Sequence, residues 1–247
     1  MTVALFYRNP RPLELARDAD LKVREITDLS FARDVNCIPI NLVEFGAVAR
    51  HYPICFVGDD ATPMAIVGLQ KENLFLDEQG RWKPGVYVPA FIRRYPFILA
   101  DNGKDNKFSL SIDDTPEAVS TEEGRALFEN GKISALTKQA LEFCTAYQQS
   151  ANGTQLFSRA IKEAALLVEQ RADARMTAGE TYTLKGFKGV DANKLRKVPA
   201  RVLGKWNDQN WLAPLYAHLQ SMTNWNDLIE LMPRAEAKAL EPAEAVA

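Results

Sequence analysis

The sequence predicts an α+β fold with an antiparallel-rich sheet, and three features carry that expectation. Short apolar runs bounded by turn residues crowd the N-terminal half, a long helix-forming stretch fills the middle, and a hairpin signal followed by short helical patterns closes the chain. Strands and helices arriving in blocks of this kind pack as an α+β domain.

In chain order, residues 20–31 alternate as a strand up to Ile26 and then loop. Leu42, Val43, Phe45, Ala49 and Tyr52 share one face of a short amphipathic helix. Pro53 disfavours helical geometry at Tyr52 and sends the chain out extended. The apolar runs 53–58 and 63–69, separated by 59–62, predict a strand–turn–strand hairpin. Asp77–Gly80 marks a second turn between two short extended runs. Pro89 suits the first turn of a short helix, Pro96 ends it, and residues 96–100 form a strand that reaches a polar turn at 101–106. Residues 107–113 alternate as the next strand.

Residues 119–171 are expected to be helical, starting at a cap built from Ser120 or Thr121 with Glu123. Leu136, Ala140, Phe143 and Tyr147 would form the buried face of one helix and Leu156, Ala160, Ala164 and Leu167 that of the next, with Gly153 as the break. Residues 174–190 read as a hairpin about Ala178-Gly179-Glu180, followed by short helices near 191–198 and 214–222. Residues 1–233 are expected to form a single domain, with a sub-boundary near 116–120 as the alternative. Residues 234–247, rich in Ala and Glu with little to bury, read as a flexible tail.

Composition narrows the function. A chain of 247 residues with net charge −2 has no global attraction to nucleic acid or to an anionic membrane. The N-terminal apolar run is too short for a signal peptide, and no segment has the ~20 apolar residues needed to span a bilayer. Cys37, Cys55 and Cys144 are widely spaced in apolar surroundings, which fits reduced core thiols and a cytoplasmic location. No Cys/His pair has zinc-ligand spacing, and no phosphate-binding glycine loop or nucleophile elbow occurs, so no metal or cofactor is expected.

The most distinctive local pattern is a repeat. Arg50-His51-Tyr52-Pro53 and Arg93-Arg94-Tyr95-Pro96 lie 43 residues apart, each between two apolar runs. The expectation is two similar helix-to-strand corners whose arginines pair internally, with carboxylates such as Glu44. Adjacent arginines cannot share one helix face, so at most one of Arg93 and Arg94 points inward. Guanidinium groups converging from both corners would instead seat an anion through paired, charge-assisted hydrogen bonds. Glu44 and His51 share a helix face without touching, being seven residues apart; with the arginines they could line a titratable pocket. Trp82 and the nearby tyrosines add aromatic surface of the kind found in binding sites and in sheet cores alike. The candidate binding residues are therefore Glu44, Arg50, His51, Tyr52, Trp82, Arg93, Arg94 and Tyr95.

Two further features read as structural. The basic run Lys185, Lys188, Lys194, Arg196, Lys197, Arg201 and Lys205, with Trp206 and Trp211 beyond it, is a solvated face before it is a site for an anionic polymer. His218, beside Leu215 and Leu219, is a hydrogen-bonded packing histidine before it is a catalytic one.

The segments 38–57, 68–82 and 87–99, with later likeness at 184–195 and 215–222, resemble the SapC family of bacterial proteins over about residues 20–230. The Arg93-Arg94-Tyr95-Pro96-Phe97 segment carries the most specific part of that likeness, and Gly189 departs from it where a β-branched residue is expected. The resemblance implies no reaction and no catalytic residues. It implies an accessory role beside bacterial surface-array (S-layer) or secreted proteins, in their export, modification or uptake, with a surface, secreted or outer-membrane protein as partner. A non-enzymatic binding protein is thus the leading expectation, and an enzyme using Glu44, His51 and Arg93 or Arg94 is the alternative.

Overall fold

A computed structural model describes residues 5–101, 108–175 and 181–232. The first part of the chain runs through β1 (Pro10–Pro12), α1 (Leu15–Asp18), β2 (Lys22–Val23), β3 (Cys37–Pro39), α2 (Phe45–Val48), β4 (Ile54–Val57), β5 (Thr62–Ile66), α3 (Ala90–Arg93), β6 (Phe97–Asp101) and β7 (Phe108–Asp113). Four two-residue strands follow, β8 (Val119–Ser120), β9 (Arg125–Ala126), β10 (Phe128–Glu129) and β11 (Lys132–Ile133), and then the long helix α4 (Ala135–Glu163). The chain continues through β12 (Leu167–Arg175), β13 (Thr181–Val190), α5 (Ala192–Leu195), α6 (Ala200–Asp208), α7 (Leu212–Ser221) and α8 (Asn224–Glu230). The class is α+β, as the sequence predicts.

Antiparallel pairing dominates. The largest sheet has the order β12-β13-β4-β5-β3, and three-stranded sheets run β1-β7-β6 and β8-β2-β9. The predicted hairpin is present: Ile54 pairs with Ala65 and Val57 with Thr62, and Gly58 at φ +72° starts the turn. The second turn reduces to a single bridge, Leu76 to Trp82, held by the Asp77 carboxylate accepting from the Gln79 and Arg81 amides. One apolar core surrounds the five-stranded sheet, α2, α4 and the C-terminal helices. A second joins β2, β6 and β7 to the N-terminal half of α4.

The middle of the chain departs from expectation. Residues 119–133 form short strands, because Gly124, Asn130 and Gly131 all adopt positive φ, which a right-handed helix cannot contain. At Gly124 a β-carbon would collide with the Val23 carbonyl, so glycine lets the chain pass close to β2. Ser120 does accept from the amides of Glu122 and Glu123, but the capping chemistry closes a turn instead of opening a helix. The helix starts at Ser134, whose hydroxyl accepts from the Thr137 amide, and continues through Gly153 without a break. A helical glycine costs about 1 kcal/mol relative to alanine, less than the burial of Tyr147, Phe157 and Ile161 on either side supplies. The buried stripe of α4 runs through Thr137, Cys144, Tyr147, Thr154, Phe157 and Ile161, which leaves Leu156 55% exposed. Val43 likewise points outward from its helix, 77% exposed. Residues 167–171, expected as helix, belong to β12.

The C-terminal hairpin is longer than predicted and pairs Leu167 with Val190 through to Arg175 with Thr181. Its turn, residues 102–106 of the polar turn at 101–106, and the tail at 234–247 lie outside the described residues, while Asp101 ends β6. Gly189 has a local cause: a β-carbon there would sit 2.5 Å from the Gln170 side-chain amide, which crosses over it. Helices α6 and α8 have no counterpart in the sequence reading.

Candidate functional site

The repeated Arg-x-Tyr-Pro phrase makes two helix-to-strand corners, α2 into β4 and α3 into β6. They feed different sheets, and the Tyr95–Pro96 peptide is cis.

The two corners meet, and Glu44 joins them. Its Oε2 accepts from the Asn41 amide at 2.9 Å, completing a capping box at the start of its own helical segment. Its Oε1 accepts from the Ala90 amide at 2.7 Å and the Tyr87 hydroxyl at 3.0 Å, so the same carboxylate caps α3. Pro89, which precedes α3, has no side-chain acceptor to offer, and Glu44 supplies one from 46 residues away. Beside it, the buried Tyr52 hydroxyl donates to the Tyr87 carbonyl at 2.6 Å and accepts from the indole N–H of Trp82 at 3.0 Å. Burial holds the Tyr52 phenol well above its ordinary pKa, so it remains a donor.

The arginines do not form the internal ion pairs expected of them. Arg50 is exposed, with no side-chain hydrogen bond or ion pair among the described residues. Arg93 is also exposed: its Nε donates to the Val88 carbonyl at 3.0 Å and its Nη2 to the Tyr87 hydroxyl at 3.1 Å. Its guanidinium lies 5.5 Å from the Tyr87 ring centre and 5.3 Å from that of Phe143 on α4. Arg94 turns inward and is 5% exposed, its guanidinium 4.2 Å from the Phe91 ring centre, 4.6 Å from Tyr147 and 5.7 Å from Tyr7. Aromatic faces, not a carboxylate, surround this charge, and its Nε and Nη2 have no hydrogen-bond partner. Arg93 and Arg94 thus divide as predicted, one out and one in, but the guanidinium groups do not converge on an anion seat.

Tyr95 also serves the fold. Its hydroxyl donates to Asp113 at 3.1 Å, and Asp113 in turn accepts from the Arg8 and Asn9 amides. His51 is half-buried against Tyr52, with ring centres 6.1 Å apart, and its side chain makes no hydrogen bond among the described residues. Partial burial, with Arg50 nearby, lowers its pKa and keeps it neutral near pH 7. Glu44 and His51 therefore form no acid–base pair.

The other histidine is structural. His218 Nε2 accepts from the Val190 amide at 2.9 Å, which places the proton on Nδ1, 2.8 Å from the Ile54 carbonyl. Ser221 accepts from the Ile54 amide and donates to the His218 carbonyl. Two side chains of α7 thus satisfy the backbone where β13 and β4, paired only at residues 187–188 and 56–57, diverge. Burial lowers the His218 pKa to about 4.

All three cysteines are free, and among the described residues no cluster of His, Cys, Asp or Glu could hold a metal ion. The basic run is spread over β13, α5 and α6, with Lys188 paired to Glu169 at 3.4 Å. An open groove of about 490 Å³ lies between α4 and α6, lined by Leu156, Arg159, Glu163, Lys205, Trp206 and Trp211, with neither Glu44 nor His51 in its wall. No described helix is long and apolar enough to cross a membrane.

Of the residues singled out in the sequence, Glu44, Tyr52 and Trp82 come together where the corners meet, and Arg93 and Arg94 divide outward and inward. Sequence reasoning missed Tyr87 as the hub between Arg93 and Glu44, and Phe143 as the second ring under Arg93. Tyr87 stands among aromatic neighbours that are equally at home in a core, and Phe143 is 50 residues from Arg93 on a helix whose packing only the tertiary fold decides. The SapC family model matches residues 13–228. No curated protein and no solved structure matches the chain.

Proposed function

The chain belongs to the SapC family, and we propose that it acts there as a non-enzymatic binding protein for a bacterial surface or secreted protein. The observation that carries this reading is the division of labour at the joined corners. Glu44, Tyr52, Arg94 and Tyr95 are committed to holding the two corners. Arg93 is left exposed across the faces of Tyr87 and Phe143, with both rings positioning the charge. An exposed arginine steadied by aromatic rings spends little entropy on binding and suits a carboxylate or carbonyl on a partner chain. The enzymatic alternative needs a titratable pair in a concavity, and the lone, neutral His51 with the fully engaged Glu44 does not supply one.

The test is capture from an envelope and secreted fraction of the native organism, using immobilised wild-type protein and Arg93→Glu in parallel. One surface or secreted protein should be held by the wild type, be lost with Arg93→Glu, and bind again when purified. A small molecule that co-purifies and is converted, or equal capture by both proteins, would overturn the proposal. Arg94 is a poor choice for this test because it is buried and out of a partner's reach.

A further inference from the structure

The edge strand β12 offers a second surface, independent of the corners. It is the outermost strand of the five-stranded sheet, and among the described residues the backbone of Leu167–Arg175 has no hydrogen-bond partner other than β13. The irregularity in the hairpin does not interrupt it. Between the pairs Gln170–Phe187 and Ala172–Leu184, β12 contributes one residue and β13 two, so the bulge belongs to the inner strand, at Gly186 with φ +82°. The Asp191 amide donates to the Leu166 carbonyl, so even-numbered residues of β12 turn their backbone groups toward β13 and odd-numbered ones turn them outward.

The same odd-numbered residues carry alternating charge. Glu169, Arg171 and Asp173 all point to solvent, with side chains 70%, 65% and 38% exposed. The opposite face, with Ala172, Tyr182 and Leu184, packs toward the core. Alternating charge on an edge ordinarily discourages a foreign apolar strand. Here it is also self-complementary in one register. With a two-fold axis at Ala172, an antiparallel second copy sets Arg171 opposite Asp173, twice. A shift of two residues either way places Arg171 against Arg171 or Asp173 against Asp173, and like charges directly opposite destabilise a pair.

We propose that β12 is a homodimer edge, pairing antiparallel with the β12 of a second copy about an axis through Ala172 and extending the sheet across two chains. Such an interface is isologous and closes on itself. Arg171 and Asp173, now bonded within one strand at 2.6 Å, each gain a partner of opposite sign across the axis. Ala172 faces its own copy at a non-hydrogen-bonded position, where Cα atoms lie about 4.5 Å apart, within disulfide range.

Sedimentation velocity on the full chain from about 1 to 100 µM tests this, spanning the affinities of ordinary weak dimers. Wild type should show a concentration-dependent dimer. Asp173→Arg should weaken it by about tenfold or more, since two attractive pairs become repulsive. The exchange Arg171→Asp with Asp173→Arg should restore the wild-type constant. Under mild oxidation Ala172→Cys should form a covalent dimer, while wild type and Glu169→Cys, an exposed thiol off the axis, should not. Thermal melts establish that each variant is folded. A wild-type monomer throughout, a dimer indifferent to Asp173→Arg, failure of the exchange to restore it, or an Ala172→Cys that stays monomeric would each overturn the proposal.

Discussion

Both carboxylate oxygens of Glu44 are occupied inside the protein, so its first duty is to the fold. Glu44→Ala strands the buried amides of Asn41 and Ala90, and a loss of about 3 kcal/mol is expected in urea denaturation, with Glu44→Gln intermediate because its amide oxygen still accepts. Arg94 follows the opposite logic. Its surroundings are aromatic and two of its donors are unmet, so Arg94→Met should keep stability within about 1 kcal/mol, whereas Arg94→Ala should lose about 3 kcal/mol to the cavity. Thermal melts of the two variants separate packing from charge; equal losses would show that the guanidinium itself is required. At this scale the sequence singled out residues that the fold brings together and was weak about their partners. Glu44 reads as a partner for an arginine because opposite charges attract, yet backbone amides with no other acceptor compete for it and are sequentially remote.

Between elements, the weak point is the junction of β4 and β13, held from α7 by His218 and Ser221. The folded state keeps His218 neutral down to about pH 4, while the unfolded chain takes up a proton near 6.5. Unfolded protein therefore binds more protons in that window. The contribution of His218 is full above about pH 6.5 and declines as pH falls, by about 1.4 kcal/mol per unit, until both states are protonated. Urea midpoints measured across the window should fall more steeply for wild type than for His218→Gln, and parallel profiles would contradict the assignment. Elements framed by proline and glycine were legible: the β4–β5 hairpin, the α3 corner and the C-terminal hairpin. The stretch 119–133 was not, because its helix-favouring residues are overruled by three positive-φ positions and by pairing with β2. The face of α4 was misread for a related reason. Periodicity allows several stripes, and Thr137 and Thr154 are buried through hydrogen bonds that hydrophobicity does not register.

For the whole molecule, the α+β class and the family were both legible, since short apolar runs and the Arg-Arg-Tyr-Pro segment survive without knowledge of tertiary contacts. The meeting of the two corners was not, because it depends on hydrogen bonds between residues 35–46 apart in sequence. Their meeting leaves one group of the repeat facing outward in a fixed pose, and the proposed function rests on Arg93 in that pose. The most direct measurement is the dissociation constant of the captured surface or secreted protein for wild type, Arg93→Glu and His51→Ala, each verified as folded. Binding should weaken by about tenfold or more with Arg93→Glu, the scale of a lost interfacial arginine, and stay unchanged with His51→Ala. Unchanged binding by Arg93→Glu, or loss confined to His51→Ala, would contradict a surface built on Arg93.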